Sequence, residues 1–166
     1  DLADPFDMPN MAAAVERVFA AADRGEKVAL YGDYDVDGVT SLTLLKTVLD
    51  AYNIVVGTFL PHRIDEGYGL SIEGLERCLA EQSPALLIAV DCGTTSIKEI
   101  AWLRERGVET VILDHHEPSP EGIPDCCALV NPKAPGQGLP SRFDYLCSAR
   151  FARADVDDLE SSWGFP

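Results

Sequence analysis

Short apolar runs alternate with helix-like segments along most of the chain, and this alternation limits the folds that it can adopt. The runs have strand length and lie at residues 27–32, 53–61, 85–91, 108–114 and 127–132. Segments with helical spacing of apolar residues precede or separate them, at residues 10–24, 39–52, 71–82 and 96–107. The central runs are apolar throughout, which is typical of strands buried on both faces of a parallel sheet. We therefore predict an α/β fold, a three-layer sandwich with a five-stranded, mostly parallel sheet and right-handed crossovers.

The chain is long enough for one domain with a core of its own. We place this domain at residues 1–148 and interpret residues 1–10 as an acidic surface segment. The last residues, 149–166, show no clear period, and we predict a weak helix or disorder there. No apolar run reaches the length of about 18 residues that a membrane helix needs. Five cysteines without CxxC spacing predict reduced thiols in or near the core, and hence a cytoplasmic protein.

Polar residues collect where the predicted strands end. The segment GDYDVDG, residues 32–38, follows the first strand, and an Asp-His-His triplet, residues 114–116, ends the fourth. Because the carboxyl ends of parallel strands meet at one edge of a sheet, we expect these groups to lie together. The strand order 2-1-3-4-5 would make the first, third and fourth strands neighbours. The residues expected at this edge, which include all three histidines of the chain, are Asp33, Asp35, Asp37, His62, Arg63, Asp91, Asp114, His115, His116 and Asn131.

Four or five carboxylates gathered at one edge need positive charge among them. Their mutual repulsion would otherwise raise some of their pKa values and cost several kcal/mol of stability. Oxygen ligands with one or two imidazoles suit Mn²⁺ or Mg²⁺, and Zn²⁺ or Fe²⁺ remain alternatives. A carboxylate shared by two ions would hold them about 3.5–4 Å apart, the separation used for in-line phosphoryl displacement. The pattern therefore predicts a two-metal site for phosphoester hydrolysis.

Other interpretations of GDYDVDG fit the sequence less well. A calcium-binding EF-hand loop needs Glu at its twelfth position, where this chain has Leu44, and a helix rather than a strand before it. A phosphate-binding Walker loop needs Gly-Lys followed by Ser or Thr, which the segment lacks. An acidic, solvated turn without a ligand explains this segment alone, but not its combination with Asp91 and the Asp-His-His triplet.

At these motifs the chain resembles a known family. GDYDVDG, VDCGTTS and DHH, in this order, resemble the DHH phosphoesterase superfamily. The flanking segments DPFDMPNMAAAVERV, FLPHRIDEGYGLS and VNPK are similar to those of its RecJ-type single-stranded-DNA-specific exonucleases. The resemblance implies a DHH phosphoesterase domain and a 5′→3′ exonuclease that acts on single-stranded DNA in repair and recombination. It also implies two ions of Mn²⁺ or Mg²⁺ as cofactors.

The same resemblance implies roles for individual residues. Asp35 and Asp91 would bind one ion, while Asp37, Asp91 and His115 would bind the other. Asp33 belongs to the motif and is a further candidate ligand. His116 would lie near the scissile phosphate, where it or an ordered water would protonate the leaving oxygen. For Asp114 we favour orientation of a neighbouring imidazole.

The segment between the second strand and the third offers candidates for substrate binding. Arg63 would clamp a phosphate, with a surface salt bridge as the alternative. Tyr68 would stack on a base, and packing within its own loop is equally consistent with the sequence. We interpret His62 as structural.

The sequence also differs from the family pattern, and these differences lead to further predictions. The family's fourth motif, which supplies another Asp ligand, has no counterpart, and neither do its second, substrate-binding domain and OB-type module. The chain also lacks an initiator Met. We therefore expect a truncated domain, the N-terminal catalytic part of a longer protein, that is weak or inactive alone. The net charge of −15 disfavours DNA binding, and the missing parts would supply the basic surface.

Two alternative functions stay open from the sequence. One keeps the chemistry and changes the substrate to oligoribonucleotides, cyclic dinucleotides or pyrophosphate. The other is a non-catalytic DHH module. Retention of the three earlier motifs counts against the second alternative.

Overall fold

A computed structural model describes residues 4–61 and 69–134 of the chain. They form one five-stranded sheet with the order β2-β1-β3-β4-β5, in which every strand pair is parallel. This confirms the predicted fold class and strand order. The strands are β1 (Val28–Gly32), β2 (Val56–Phe59), β3 (Leu86–Val90), β4 (Glu109–Leu113) and β5 (Ala128–Val130).

Four α-helices cover the two faces of the sheet in the described part of the chain. Apolar side chains of α1 and α2 pack on one face, around Leu30, Ile88 and Val111. Those of α3 and α4 pack on the other, around Ala29, Leu87 and Ile112. Alternate residues of each central strand thus enter opposite cores, which explains why these strands are apolar throughout. The helices are α1 (Met11–Asp23), α2 (Val36–Ala51), α3 (Ile72–Gln82) and α4 (Ile97–Glu105).

Local capping sets where the helices begin. The Ser71 hydroxyl accepts a hydrogen bond from the backbone N–H of Gly74, so α3 starts where the sequence predicts. Helix α2 starts three residues earlier than predicted because the Asp35 carboxylate caps it. This carboxylate accepts a hydrogen bond from the N–H of Gly38 at 2.9 Å. Gly38 is required here, since a Cβ atom would overlap the Asp33 carbonyl oxygen.

The opening segment differs from its prediction as an acidic surface segment. Pro5–Asp7 form a 3-10 helix capped by Asp4, whose carboxylate accepts from the N–H of Phe6 at 2.9 Å. Pro5 and Met8 are buried, and Met8 packs in the same core as α1 and α2. The sequence did not predict this packing role because the apolar side chains that enter the core lie between acidic residues.

Other predictions about the chain have mixed outcomes. Cys78 and Cys92 are buried as predicted, whereas Cys127 is exposed. No described helix combines the length and apolar character needed to cross a membrane. The predicted tail at residues 149–166 lies outside the described residues, as do His62, Arg63 and Tyr68.

Candidate metal centre

Asp91 is the first residue after β3, and its backbone adopts an unusual conformation. Its φ of 62° lies in the left-handed region, which Asp enters more readily than most residues. Its N–H donates to the carbonyl of Leu113 at 2.9 Å, which ties this turn to the end of β4. The side chain is only 10% exposed. The turn therefore directs a buried carboxyl group toward the edge at which the parallel strands end, called the carboxyl edge below.

Asp114, the first residue after β4, organises the Asp-His-His triplet through hydrogen bonds. Its Oδ1 accepts from the backbone N–H of His115 at 2.7 Å and lies 2.7 Å from Nδ1 of His116. Its Oδ2 accepts from the N–H of Thr94 at 2.9 Å. Burial alone would raise the pKa of Asp114, but the hydrogen bonds from Thr94 and His116 lower it below the usual value. This carboxylate therefore stays ionised and orients one imidazole.

Asp91, His115 and His116 come together at the carboxyl edge. One ligand atom of each lies within 4.8 Å of the others. Nε2 of His115 is 3.4 Å from Oδ1 of Asp91, and the two imidazole rings meet edge to face at 4.8 Å between centroids. The group includes His116, for which the sequence predicts a role beside the phosphate rather than at the metal. A carboxylate oxygen and two imidazole nitrogens are a donor set that divalent transition ions accept.

The three carboxylates of GDYDVDG take different positions. Asp33 is fully buried, and its Oδ1 accepts from the N–H of Tyr34 at 2.6 Å. Its Oδ2 is buried without a hydrogen bond in the described part of the chain. Asp35 caps α2, and Asp37 is exposed in the first turn of that helix. Neither Asp35 nor Asp37 joins the three-residue group in the described structure, although the charges of both act on Asp91.

The carboxyl groups at the carboxyl edge have raised pKa values. Burial, with the charges of Asp35, Asp114 and Asp37 adding to it, raises the pKa of Asp91 to about 7. Burial and the charge of Asp35 also raise the pKa of Asp33. Within residues 4–61 and 69–134, no Lys or Arg pairs with Asp33, Asp35, Asp37 or Asp91. A divalent ion would supply the missing charge, so the residues fit a metal by number, type and electrostatics.

Two buried residues, Thr94 and Asn131, support this site. The sequence analysis placed Asn131 at this edge without giving it a role, and it did not single out Thr94. Asn131, fully buried after β5, donates from Nδ2 to Oγ1 of Thr94 at 2.8 Å and to the backbone carbonyl of His116 at 2.9 Å. Thr94 is also fully buried and holds Asp114. The polar pair Thr94-Thr95 after a strand signals a turn, but the partners of such side chains depend on the tertiary fold.

Comparison with known proteins gives one family. A family model described as the DHH family, N-terminal domain, matches residues 27–154. In sequence, the chain is similar to the single-stranded-DNA-specific exonuclease RecJ of Bacillus subtilis (strain 168), at 40% identity over 140 residues. It is also similar to that of Haemophilus influenzae, at 35% identity over 140 residues.

Solved structures agree with these relatives. A crystal structure of exonuclease RecJ bound to manganese superposes with a TM-score of 0.81 at 30% identity, covering 96% of this chain and 39% of that chain. Each of the two sequence matches covers 84% of this chain but only 18% and 24%, respectively, of the two relatives. The chain thus spans less than a quarter of the curated relatives that it matches.

Proposed function

The chain belongs to the DHH family, as its motifs predict, and from this premise we propose that it forms the metal-binding catalytic domain of a phosphodiesterase. The proposed substrate is single-stranded DNA, because both relatives described above are named single-stranded-DNA-specific exonucleases. Degradation from the 5′ end is the direction that the family resemblance of the motifs implies. The observation that carries the proposal is the meeting of Asp91, His115 and His116 at the carboxyl edge. Hydrolysis of a phosphodiester is the reaction that such a site supports best.

We propose Mn²⁺ or Mg²⁺ as the cofactor, bound as two ions. Asp91 is central to the donor set, with His115 and the GDYDVDG carboxylates Asp35 and Asp37 as the further ligands and Asp33 as a candidate. A related RecJ structure contains manganese, which supports this choice. When bound, such ions lower the pKa of water and offset the negative charge of a phosphodiester.

The residues of the chain would position and protonate the reacting groups. Asp114 holds Nδ1 of His116, so Nε2 is the ring atom at which this side chain would give a proton to the leaving oxygen. Burial lowers the pKa of His116, but the hydrogen bond to Asp114 and its charge outweigh this and raise the pKa above its ordinary value. An ordered water is the alternative proton donor.

The surface charge bears on how DNA would reach this site. A net charge of −15 repels a polyanion at long range. We propose that further domains of the natural protein supply basic surface, which the much greater length of the relatives supports. Arg63 and Tyr68 remain candidate substrate-binding residues, and a cytoplasmic location remains the expectation from the cysteines.

The test measures nucleotide release from the 5′ ends of single-stranded DNA by the natural protein that contains this sequence. We expect activity with Mn²⁺, its loss in EDTA, and a decrease of about a hundredfold to a thousandfold in Asp91→Asn, the order found when a group that stabilises developing charge is removed. Asn keeps the volume of Asp and tolerates the left-handed backbone, so the fold should persist. Asp23→Asn, which changes an exposed carboxylate on α1, is the control.

Calorimetry with Mn²⁺ provides a second measurement that does not depend on turnover. The unaltered chain should bind Mn²⁺ and Asp91→Asn should not. Activity that survives both EDTA and Asp91→Asn would contradict the proposed function.

A further inference from the structure

A cleft of about 260 Å³ lies near the start of β4, at the end of the sheet opposite the candidate metal centre. The last turns of α4, the first residues of β4 and the segment that leads into β5 form its walls. Thr110, one of its lining residues, precedes Asp114 by four positions, which corresponds to about 13 Å along the strand. Neither the motifs nor the proposed metal ligands include a residue of this cleft.

The hydroxyl group of Thr110 has no hydrogen-bond partner within residues 4–61 and 69–134. Thr110 is 2% exposed, and its Oγ1 is buried. Side chains alternate along a strand, and Ile112 packs in the core beneath α3 and α4, so Thr110 points to the same face, where the cleft lies. Because buried hydroxyl groups are normally hydrogen-bonded, this one indicates that a ligand enters the cleft.

The volume of the cleft indicates a ligand larger than water. One water molecule occupies about 30 Å³, whereas an apolar cavity of about 150 Å³ already holds benzene. The cleft, at about 260 Å³, therefore accommodates a six-membered ring with a substituent. A ring also loses no internal rotation on binding, whereas an aliphatic chain does, which favours the ring.

The inner walls of the cleft favour an uncharged ligand. Ile100 and Val108 line it with buried apolar side chains. Burial raises the pKa of Cys126 to about 11, so its thiol is neutral at physiological pH. A charged ligand would lose its hydration against these walls and gain a single hydroxyl partner, which is unfavourable.

The charged side chains at the rim of the cleft are already paired with each other or with α1. Arg104 forms an ion pair with Asp125, and Glu109 forms one with Arg17. These pairs leave no unbalanced charge at the rim that would attract an ion. Arg104 and Asp125 are both largely exposed, and such pairs contribute little to stability, so this pair can open to admit a ligand.

We propose that the cleft is a binding site for a small, uncharged aromatic molecule that carries one hydroxyl group, a ligand of the phenol class. Its ring would lie against Ile100, Val108 and Cys126. Its hydroxyl group would form a hydrogen bond with Oγ1 of Thr110. The site is separate from the proposed phosphodiesterase chemistry and requires no metal ion.

The test compares phenol with toluene, which has a methyl group in place of the hydroxyl group. Binding to the natural protein that contains this sequence is measured by ligand-observed NMR without added metal. We expect a dissociation constant of about 1 mM for phenol, which is within the limit for a ligand of seven non-hydrogen atoms. Failure of phenol to bind at about ten times this concentration would overturn the inference.

Thr110→Val removes the hydroxyl group and keeps the shape of the side chain. Phenol should then bind about fivefold more weakly, the factor that one neutral hydrogen bond contributes, while toluene should bind at least as tightly as before. Thr58→Val is the matched control because Thr58 is an exposed strand residue of β2, outside the cleft. It should leave both affinities unchanged. An unchanged affinity of the Thr110→Val variant for phenol, or an equal loss for both ligands, would contradict recognition by this hydroxyl group.

Cys126→Phe tests whether the ligands bind in this cleft. The new ring is attached to the wall and should occupy the cleft, so both phenol and toluene should lose more than about tenfold in affinity. An unchanged circular dichroism spectrum shows that the variant is folded. Undiminished binding of phenol to the folded variant would place its site elsewhere and overturn the inference. These outcomes do not depend on the proposed function, because neither metal nor DNA is present.

Discussion

The two edges of the sheet differ in whether their carboxylates are paired with a cationic side chain. At the edge where the strands begin, Arg17 of α1 pairs through Nη2 with Glu26 at 2.7 Å and with Glu109 at 2.5 Å. At the carboxyl edge, the buried carboxylates of Asp33 and Asp91 have no Lys or Arg partner in the described part of the chain. At the first edge a cation of the protein itself balances two carboxylates, whereas at the second we propose that a metal ion supplies the positive charge.

The pKa shifts at the two edges have opposite signs. The hydrogen bond from Arg17, which outweighs burial, lowers the pKa of Glu109. Burial, reinforced by neighbouring carboxylates, raises the pKa of Asp91 to about 7. A lowered carboxyl pKa stabilises the folded state above the unfolded value, and a raised one destabilises it there. The comparison indicates that the beginning of the sheet serves stability and that the carboxyl edge serves binding.

The largest effect on stability should be the pH dependence of the metal-free chain. Between its unfolded pKa of 3.8 and its folded pKa of about 7, Asp91 holds a proton in the folded state that the unfolded state has released. The free energy of unfolding should therefore fall by about 3 kcal/mol from pH 4.5 to pH 7.5 and level off above that range, as measured by urea denaturation. The raised pKa values of Asp33 and His116 act in the same direction.

Asp91→Asn should flatten this slope, because Asn does not titrate. Asp23→Asn, at an exposed position, should retain it. Saturating Mn²⁺ should reverse the slope for the unaltered chain, since a metal ion binds the deprotonated carboxylate. A free energy of unfolding that rises with pH over this range without metal would contradict the account given for the carboxyl edge.

Much of the fold could be predicted from the sequence. The apolar runs identified the five strands of the described sheet, and the order followed from requiring the residues after the first, third and fourth strands to lie together. The boundaries were less accurate, since β2 covers only Val56–Phe59 within the predicted 53–61. Helix α2 began early because Asp35 is its cap, a role that a residue chosen as a metal ligand does not suggest. Local hydrogen bonds determine where a helix or strand begins and ends, and the spacing of apolar residues gives no information about these bonds.

Of the residues predicted for the candidate site, the described structure brings Asp91, His115 and His116 into one group, whereas Asp35 and Asp37 lie outside it. The strand ends place Asp91, His115 and His116 together, as expected for a parallel sheet. The support by Thr94 and Asn131 depends on side-chain directions across two strands, which spacing cannot give. The ligand roles and the substrate-binding roles of Arg63 and Tyr68 stay predictions.

A smaller effect is expected from breaking the cluster where the strands begin. Arg17→Met keeps the length of the side chain but leaves Glu26 and Glu109 without their shared partner. Because the Arg17 side chain is only 12% exposed, we expect a loss of about 2 kcal/mol in the free energy of unfolding, between the values for surface and buried pairs. Affinity for Mn²⁺ should not change, because this cluster lies at the opposite edge.

Arg24→Met is the matched control for this prediction. Arg24 also approaches Glu26, at 3.5 Å, but its side chain is 63% exposed. Solvent screening should limit its effect to about 0.5 kcal/mol. Equal destabilisation by the two substitutions would show that the cluster is no more important than an ordinary surface ion pair.

The smallest effect tests how the carboxyl edge holds its imidazole. Asn131 donates to Thr94 and to the His116 carbonyl, and it accepts from the N–H of Lys133 at 2.8 Å. In the natural protein, Asn131→Ala should lower kcat on single-stranded DNA about tenfold at unchanged KM, a fraction of what a positioned acid contributes. Asn131→Asp keeps the acceptor and removes the donor, so it should lower kcat equally if the donated bonds position His116. Because Asp91 and His115 stay in place, affinity for Mn²⁺ measured by calorimetry should be retained in both variants. A loss of Mn²⁺ affinity that accounts for the whole decrease would instead show that Asn131 supports the metal ligands rather than the proton donor.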